Sequence, residues 1–245
     1  MYEKVYVDKL IELLGDLLAR QQEQIEAAAD MLARSMLAGG IIHVFGTGHS
    51  GIIAQEAFMR AGGLLPVNAI LDERVLLSGG ALNSTSAEKQ EGLAADILAN
   101  HDIRPVDAGV VVSNSGRNAA PVEMAFEMKK QGIPVVAITS AEHSAFVAPS
   151  HASGKKLADL ADIVLDNGAP YGDALVKLEG TGNHMGPAST VTGAAIINSV
   201  FILAAEKMLV EGGEPIILPS GNVESADFTR IQEAMQKFHG RIRYL

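Results

Sequence analysis

The 245-residue sequence contains no cysteine. Disulfides, a thiol nucleophile, thiolate metal ligands and iron–sulfur clusters are thereby excluded. Basic residues are scarce: 19 against 29 acidic ones, for a net charge of −10. A nucleic-acid partner, which needs a basic surface, is not expected. The seven histidines show no H-x-x-x-H or H-x-x-E-H spacing, so neither a metal site nor another cofactor is expected. No G-x-S-x-G elbow occurs, which argues against a hydrolase triad. The opening run MYEKVYVDKLIELLGDLL carries charges throughout and has no apolar stretch followed by small residues. No secretory signal is expected, and the cytoplasm is the expected compartment. One segment, Gly186 to Ala205, is uncharged and long enough to test as a membrane span. It holds Ser189, Thr190, Thr192, Asn198 and Ser199, which suit a helix buried in protein better than one facing lipid. No membrane partner is expected. Low-complexity linkers and repeats of fixed period are also missing.

What is present is a core-forming chain, 48% apolar and 20% charged. Residues 3–38 read as one long helix, with Leu10, Leu14, Leu17, Ile25, Leu32 and Met36 near helical spacing, ended by Gly39-Gly40. Short apolar runs then alternate with helical segments. Strands are expected at 41–45, 67–71, 108–112, 134–139 and 163–166. Helices are expected at 52–61, 87–100, 119–131, 153–161, 189–210 and 225–239, with 78–85 as a loop. Unpatterned apolar strands separated by helices indicate a parallel sheet covered on both faces. The reading is an α/β protein, a three-layer α/β/α sandwich with a five-stranded sheet. Its single domain spans 1–245: an N-terminal helical arm (1–38), the α/β/α core (39–211) and a C-terminal segment (212–245).

Two loops follow strands and open helices, the place where parallel sheets bind ligands. The first is Gly46-Thr47-Gly48-His49-Ser50-Gly51. Its glycines permit close backbone approach, Thr47 and Ser50 offer hydroxyls, and the helix start offers free N–H groups. The second is Ser113-Asn114-Ser115-Gly116, with Asn118 as the expected N-cap of the next helix. Gly46, Gly48 and Gly51 also match a dinucleotide fingerprint, with Asp72 placed 21 residues after Gly51 for a ribose hydroxyl. The second hydroxyl-rich loop and the long helix before the first strand favour a monophosphate site over NAD(P).

The two loops, Gly46-Thr47-Gly48-His49-Ser50 and Ser113-Asn114-Ser115-Gly116-Arg117-Asn118, resemble the signature loops of the SIS (sugar isomerase) domain. The resemblance covers about residues 36–210. Within that family it is closest to the UPF0309 subgroup of phosphoheptose-type isomerases, through Glu56–Gly63 (EAFMRAGG), Glu91-Gly92 and Ser153-Gly154-Lys155-Lys156-Leu157. It implies the SIS fold, a homodimer or homotetramer, and a phosphorylated sugar held by Ser113 and Ser115 with Asn118 nearby. Many SIS domains have Thr where this chain has Asn118.

Aldose–ketose isomerisation needs a base near C1 and C2 and an acid for ring opening. Glu91, Glu56 and Glu73 are the candidates; Glu88 is also near the expected site but reads as a solvated helix residue. Glu88 and Glu91, three residues apart, are expected on one helix face, and Glu91-Gly92 resembles a stretch of the muramic acid phosphate etherases, which use two glutamates. His49 is placed to touch the ligand, and His151 or His184 to assist ring opening. The expected function is a sugar-phosphate isomerase. The alternatives are a non-catalytic phosphosugar sensor, another SIS chemistry (etherase or deaminase) and, last, an NAD(P) enzyme. Residues 1–40 hold four basic against seven acidic residues, so a DNA-binding arm is not expected.

Overall fold

The computed structural model describes residues 2–223 and 228–245. Five apolar runs form strands: β1 (Ile42–Gly46), β2 (Val67–Ile70), β3 (Ala108–Val112), β4 (Val135–Thr139) and β5 (Ile163–Asp166). All pair in parallel in the order β2-β1-β3-β4-β5. Side-chain direction alternates along each strand. Ile42, Val44, Val110, Val136 and Ile138 enter the core on one face of the sheet. Phe45, Val111, Val135 and Ala137 enter the core on the other.

The first face is covered by α2 (Gln22–Leu37), α3 (Ser50–Ala57) and α8 (Ser189–Val210). The second is covered by α5 (Leu93–Leu98) and α6 (Ala119–Lys130). Among the described residues, α8 is the helix long and apolar enough to cross a membrane. Its Thr192, Gly193, Ile196, Ile197, Val200, Phe201 and Ala204 are buried, packed on α2 and α3.

Three expected elements differ. The N-terminal helix breaks at Gln21 into α1 (Tyr2–Arg20) and α2. The buried Gln21 amide donates to the Asp166 carbonyl (2.7 Å) and accepts the Asp166 N–H (2.8 Å), so it pairs with edge strand β5 as a neighbouring strand would. The expected helix at 87–100 is replaced by α4 (Ala81–Ala87) and α5. Between them Gly92 adopts φ +85, and its N–H is held by both oxygens of Glu123 (2.8 and 2.9 Å). Glu88 and Glu91 therefore share no helix face, and α4 occupies residues expected to be loop. The expected helix at 153–161 is reduced to a single 3-10 turn, Leu157–Asp159. Elements not anticipated are α7 (Ala141–Phe146) and a small hairpin, β6 (Val176–Lys177) with β7 (His184–Met185). The expected final helix corresponds to α9 (Thr229–Phe238); residues 225–227 of that expectation lie outside the described residues.

The C-terminal segment is tied to the sheet by a buried polar cluster. His43 donates through Nε2 to Asp107 (3.1 Å), and its Nδ1 accepts from Asn68 (3.0 Å). Arg241 reaches both oxygens of Asp107 (2.8 and 2.9 Å), and Asn68 accepts the N–H of Arg243 (3.0 Å). Burial opposes ionisation of Asp107. Its bonds from His43, the Ile41 N–H, Arg241 and the Arg104 N–H outweigh burial and hold its pKa below the usual carboxylate value.

His101 completes the cluster, accepting from Asn68 at Nδ1 (3.0 Å). Burial first, then the positive charge of Arg243, lowers its pKa to about 4. The folded chain thus binds fewer protons here than the unfolded one, whose histidine titrates near about 6.5. Stability from this group is complete above that pH and is lost as pH falls towards about 4. We expect the melting temperature to decline across that window, and His101→Gln to flatten the decline. Parallel pH profiles for the two proteins would refute the assignment.

Candidate functional site: a cleft at the strand-order reversal

The order β2-β1-β3-β4-β5 reverses between β1 and β3. The chain leaves β1 towards α3 on one face and β3 towards α6 on the other. The two departing loops open a crevice at the carboxyl end of the sheet. It is a cleft of about 510 Å³ lined by Thr47, Gly48, His49 and Ser50 from the first loop and Ser113, Asn114, Ser115 and Asn118 from the second.

Packing dictates two glycines of the first loop. A Cβ on Gly46 would lie 2.4 Å from the Ser50 carbonyl oxygen, and one on Gly51 would lie 2.4 Å from Leu76. Gly48 has φ +53 and donates its N–H to Val75 (2.8 Å). In the second loop the Ser113 hydroxyl accepts the Gly116 N–H (3.2 Å) and the Ser115 hydroxyl accepts the Arg117 N–H (3.5 Å). Each serine oxygen is thus oriented by the backbone while its own O–H remains available as a donor. The Asn114 side chain is fixed by Asn167 (3.0 Å).

Glu88 joins the loops. One carboxylate oxygen accepts from the Thr47 hydroxyl (2.8 Å) and the other from the Asn118 amide (2.8 Å). Its backbone carbonyl accepts the Ala120 N–H (2.9 Å), capping α6. Asn118 does occupy the N-cap position of α6, but its side chain serves Glu88 and makes no cap bond.

The lining is completed by α7 and residue 173, which sequence patterns did not flag, and by the start of α8, which they did. His143 on α7 accepts the Gly172 N–H at Nδ1 (3.2 Å), which leaves Nε2 as the proton-bearing nitrogen of the neutral ring. Asp173, at φ +50, accepts from the N–H groups of Ala188 (3.0 Å) and Ser189 (2.9 Å) and from the Ser189 hydroxyl (2.6 Å). It fixes the start of α8, so Ser189 and Thr190 also face the cleft. Among the described residues, the lining includes no lysine or arginine.

Comparison with known proteins agrees with this geometry. The SIS domain family model matches residues 5–140. A UPF0309 protein of Listeria innocua is 41% identical over 240 residues, covering 98% of this chain and 97% of that protein. One from Geobacillus kaustophilus is 40% identical over 222 residues, covering 91% and 88%. The chain belongs to the UPF0309 family of SIS-domain proteins. Solved phosphoheptose isomerases from Francisella tularensis and Neisseria gonorrhoeae share the fold, with TM-scores of 0.55 and 0.56 and identities of 17% and 16%. Each match covers 82% of this chain and 95% of the other.

The remaining candidates of this SIS domain lie elsewhere. The Glu91 carboxylate accepts the Ala152 N–H (2.8 Å) on the outer surface. Glu56 on α3 pairs with Arg60 and receives a bond from Asn198 (3.3 Å). Glu73 lies in a neighbouring cavity with Tyr244, which shares Gly48 and Leu77 with the cleft. His151 contacts Ser153 (2.7 Å) and Glu123 (3.4 Å) in a separate pocket, and His184 is on the exposed hairpin. Asp72 is clasped by Arg74 through both oxygens (2.8 and 2.7 Å), which lowers its pKa. It does not line the cleft, so it offers no free carboxylate to a ribose.

The sequence carried a signal for His143 that went unused. Ser140 follows a strand and caps α7 by accepting the His143 N–H (2.9 Å). Asp173 lies 15 residues from the backbone it caps, beyond any local pattern.

The bridging role of Glu88 has a stability consequence. Glu88→Ala removes the acceptor of both Thr47 and Asn118 and should cost roughly 1–3 kcal/mol. Glu88→Gln keeps the shape and one acceptor oxygen and should cost less. Denaturant melts of the two variants check this; equal and negligible losses would show that the bridge is not needed.

Proposed function

We propose that this SIS domain binds a phosphorylated sugar in the cleft and interconverts its aldose and ketose forms by proton transfer. The observation that carries the reading is the Glu88 carboxylate, bridged between two hydroxyl-rich loops at the strand reversal. In this reading the Ser113 and Ser115 hydroxyls donate to the phosphate, with the α6 N-terminus behind them. Thr47, His49, Ser50 and Asn118 contact the ligand, and Gly46, Gly48, Asn114 and Gly116 shape the loops. The Glu88 carboxylate takes the proton from C2 of the ring-opened sugar and returns it to C1, while the O2 hydroxyl proton passes to O1, which leaves the carbonyl at C2. His143, which lines the same cleft, supplies the acid for ring opening through its Nε2–H. Glu88 replaces Glu91, Glu56 and Glu73 in this role because it is the glutamate among these four that lines the cleft.

A non-catalytic phosphosugar sensor is the second reading. One observation favours it: both Glu88 oxygens already hold a partner within the chain. Deuterium exchange at the sugar C2 separates the two. A sugar phosphate should raise the melting temperature, and exchange should follow with the wild type. Ser115→Ala should weaken binding about ten- to a hundredfold, because a charge-assisted hydrogen bond contributes about 1.5–3 kcal/mol. Glu88→Gln should lower kcat by about 10²–10⁴ while affinity stays within a few-fold. Binding without exchange in the wild type would favour the sensor.

The same reading includes assembly as a homodimer or homotetramer. On α1, Val7, Ile11 and Leu18 are exposed on one helical stripe, about 100° round the helix from Leu17, which is buried. Light scattering should give at least twice the 25.7 kDa chain mass. Ile11→Glu with Leu18→Glu should shift it to the monomer. A wild-type monomer at micromolar concentration would remove assembly from the proposal.

A further inference from the structure

The cleft has an aromatic ledge beside it. His143, on the cleft wall, contacts Tyr171 with ring centroids 5.3 Å apart, and Tyr171 contacts Phe146 at 5.1 Å. Phe146 is 69% exposed and Tyr171 56% exposed. Several Phe and Tyr side chains of this protein are exposed, and among the described residues Phe146 and Tyr171 are two such rings in mutual contact. Contiguous exposed apolar surface rimmed by polar groups marks a place of contact.

The ledge is held rigidly. The Tyr171 N–H donates to Glu142 (2.9 Å), and the Gly172 N–H donates to His143 (3.2 Å). The Ser140 hydroxyl donates to the Ala169 carbonyl (2.6 Å). The segment carrying Tyr171 is thereby bolted to the first turn of α7, and Asp173 at its far end caps α8. An aromatic side chain carried on a fixed backbone has only two χ angles to order when a ligand stacks on it.

We propose that Phe146 and Tyr171 form a subsite that stacks against a second pyranose ring, so that the favoured ligand is a glycosylated hexose phosphate. This rests on the phosphosugar reading of the cleft. Its isomerase chemistry requires a free anomeric carbon, which places the phosphate on the reducing ring and the second ring on another hydroxyl. The neighbouring charge selects the class of substituent. Glu142 and Asp173 flank the ledge, and the chain carries −10 overall, so a neutral hydroxylated ring is accepted where a further anionic group is repelled. The Tyr171 ring is tilted by 48° from Phe146 and by 43° from His143. They form an angled ledge that meets the C–H face of a chair, unlike the parallel slot that grips a flat heterocycle.

Calorimetric titration of the full chain tests this with glucose 6-phosphate and with its 3-O- and 4-O-glucosyl derivatives. At least one glucosyl derivative should bind the wild type about tenfold more tightly than glucose 6-phosphate, in the range expected for aromatic contacts. Phe146→Ala with Tyr171→Ala should abolish that advantage and leave glucose 6-phosphate affinity within about twofold, with the melting temperature preserved because both rings are exposed. Binding of glucose 6-phosphate with no preference for either derivative, or a preference that survives the double variant, overturns the ledge alone. Failure of all three ligands overturns the phosphosugar reading and the subsite with it. A change of oligomeric mass in the double variant would assign the ledge to a subunit contact and overturn the subsite.

Discussion

The carboxylate of Glu88 ties together two loops that the sheet sends to opposite faces. Where the order of a parallel sheet reverses, adjacent strands deliver their chains to different layers, and nothing in the ladder holds the departing loops in register. Here one side chain does so, taking Thr47 from the β1 loop and Asn118 from the β3 loop, while its carbonyl caps α6. The position depends on α4 ending at Ala87, and α4 is anchored from below by the Ser84 hydroxyl on the Val75 carbonyl (2.6 Å). The same Val75 carbonyl accepts the Gly48 N–H. Segment 75–88 is therefore a strut between the loops as much as a connection from β2 to β3.

Two intrachain bonds do not exhaust a carboxylate. Its oxygens offer about four lone-pair sites, so each bonded oxygen of Glu88 retains one. The bonds that fix the loops leave each oxygen of Glu88 with an acceptor site on the cleft, so a ligand need not break the bridge to reach it.

Much of the layered fold was legible because its causes are local. β3, β5 and α8 follow the expected bounds, since an apolar run between turn residues leaves few choices. The two loops were legible for the same reason: glycines and hydroxyls gathered at strand ends. What was not legible depended on partners distant in sequence. The break at Gln21 needs Asp166 on β5, and the break at Gly92 needs Glu123 on α6. The second break moves Glu91 to the surface and leaves Glu88 in the cleft, an inversion that helical spacing within 87–100 could not reveal. Asp173 and His143 entered the site through a strap closed by long-range hydrogen bonds.

The two ends of the sheet use polar residues in opposite ways. Around His43, Asn68 and Asp107 donors and acceptors meet one another, which makes that end a fastening for the C-terminal tail. At the carboxyl end the serines accept from the backbone and keep their hydroxyl protons, and α3, α6 and α8 all begin there. Among the described residues no lysine or arginine lines that cleft, and the chain as a whole is negative. An approaching anion therefore meets repulsion at long range and donors at contact. Repulsion of that kind acts on every anion alike and is screened by salt, whereas oriented hydroxyls and helix ends act within hydrogen-bond distance. Discrimination in such a cleft is made by fit to the donors, so the geometry of the two loops, and hence the carboxylate between them, sets which anion is held.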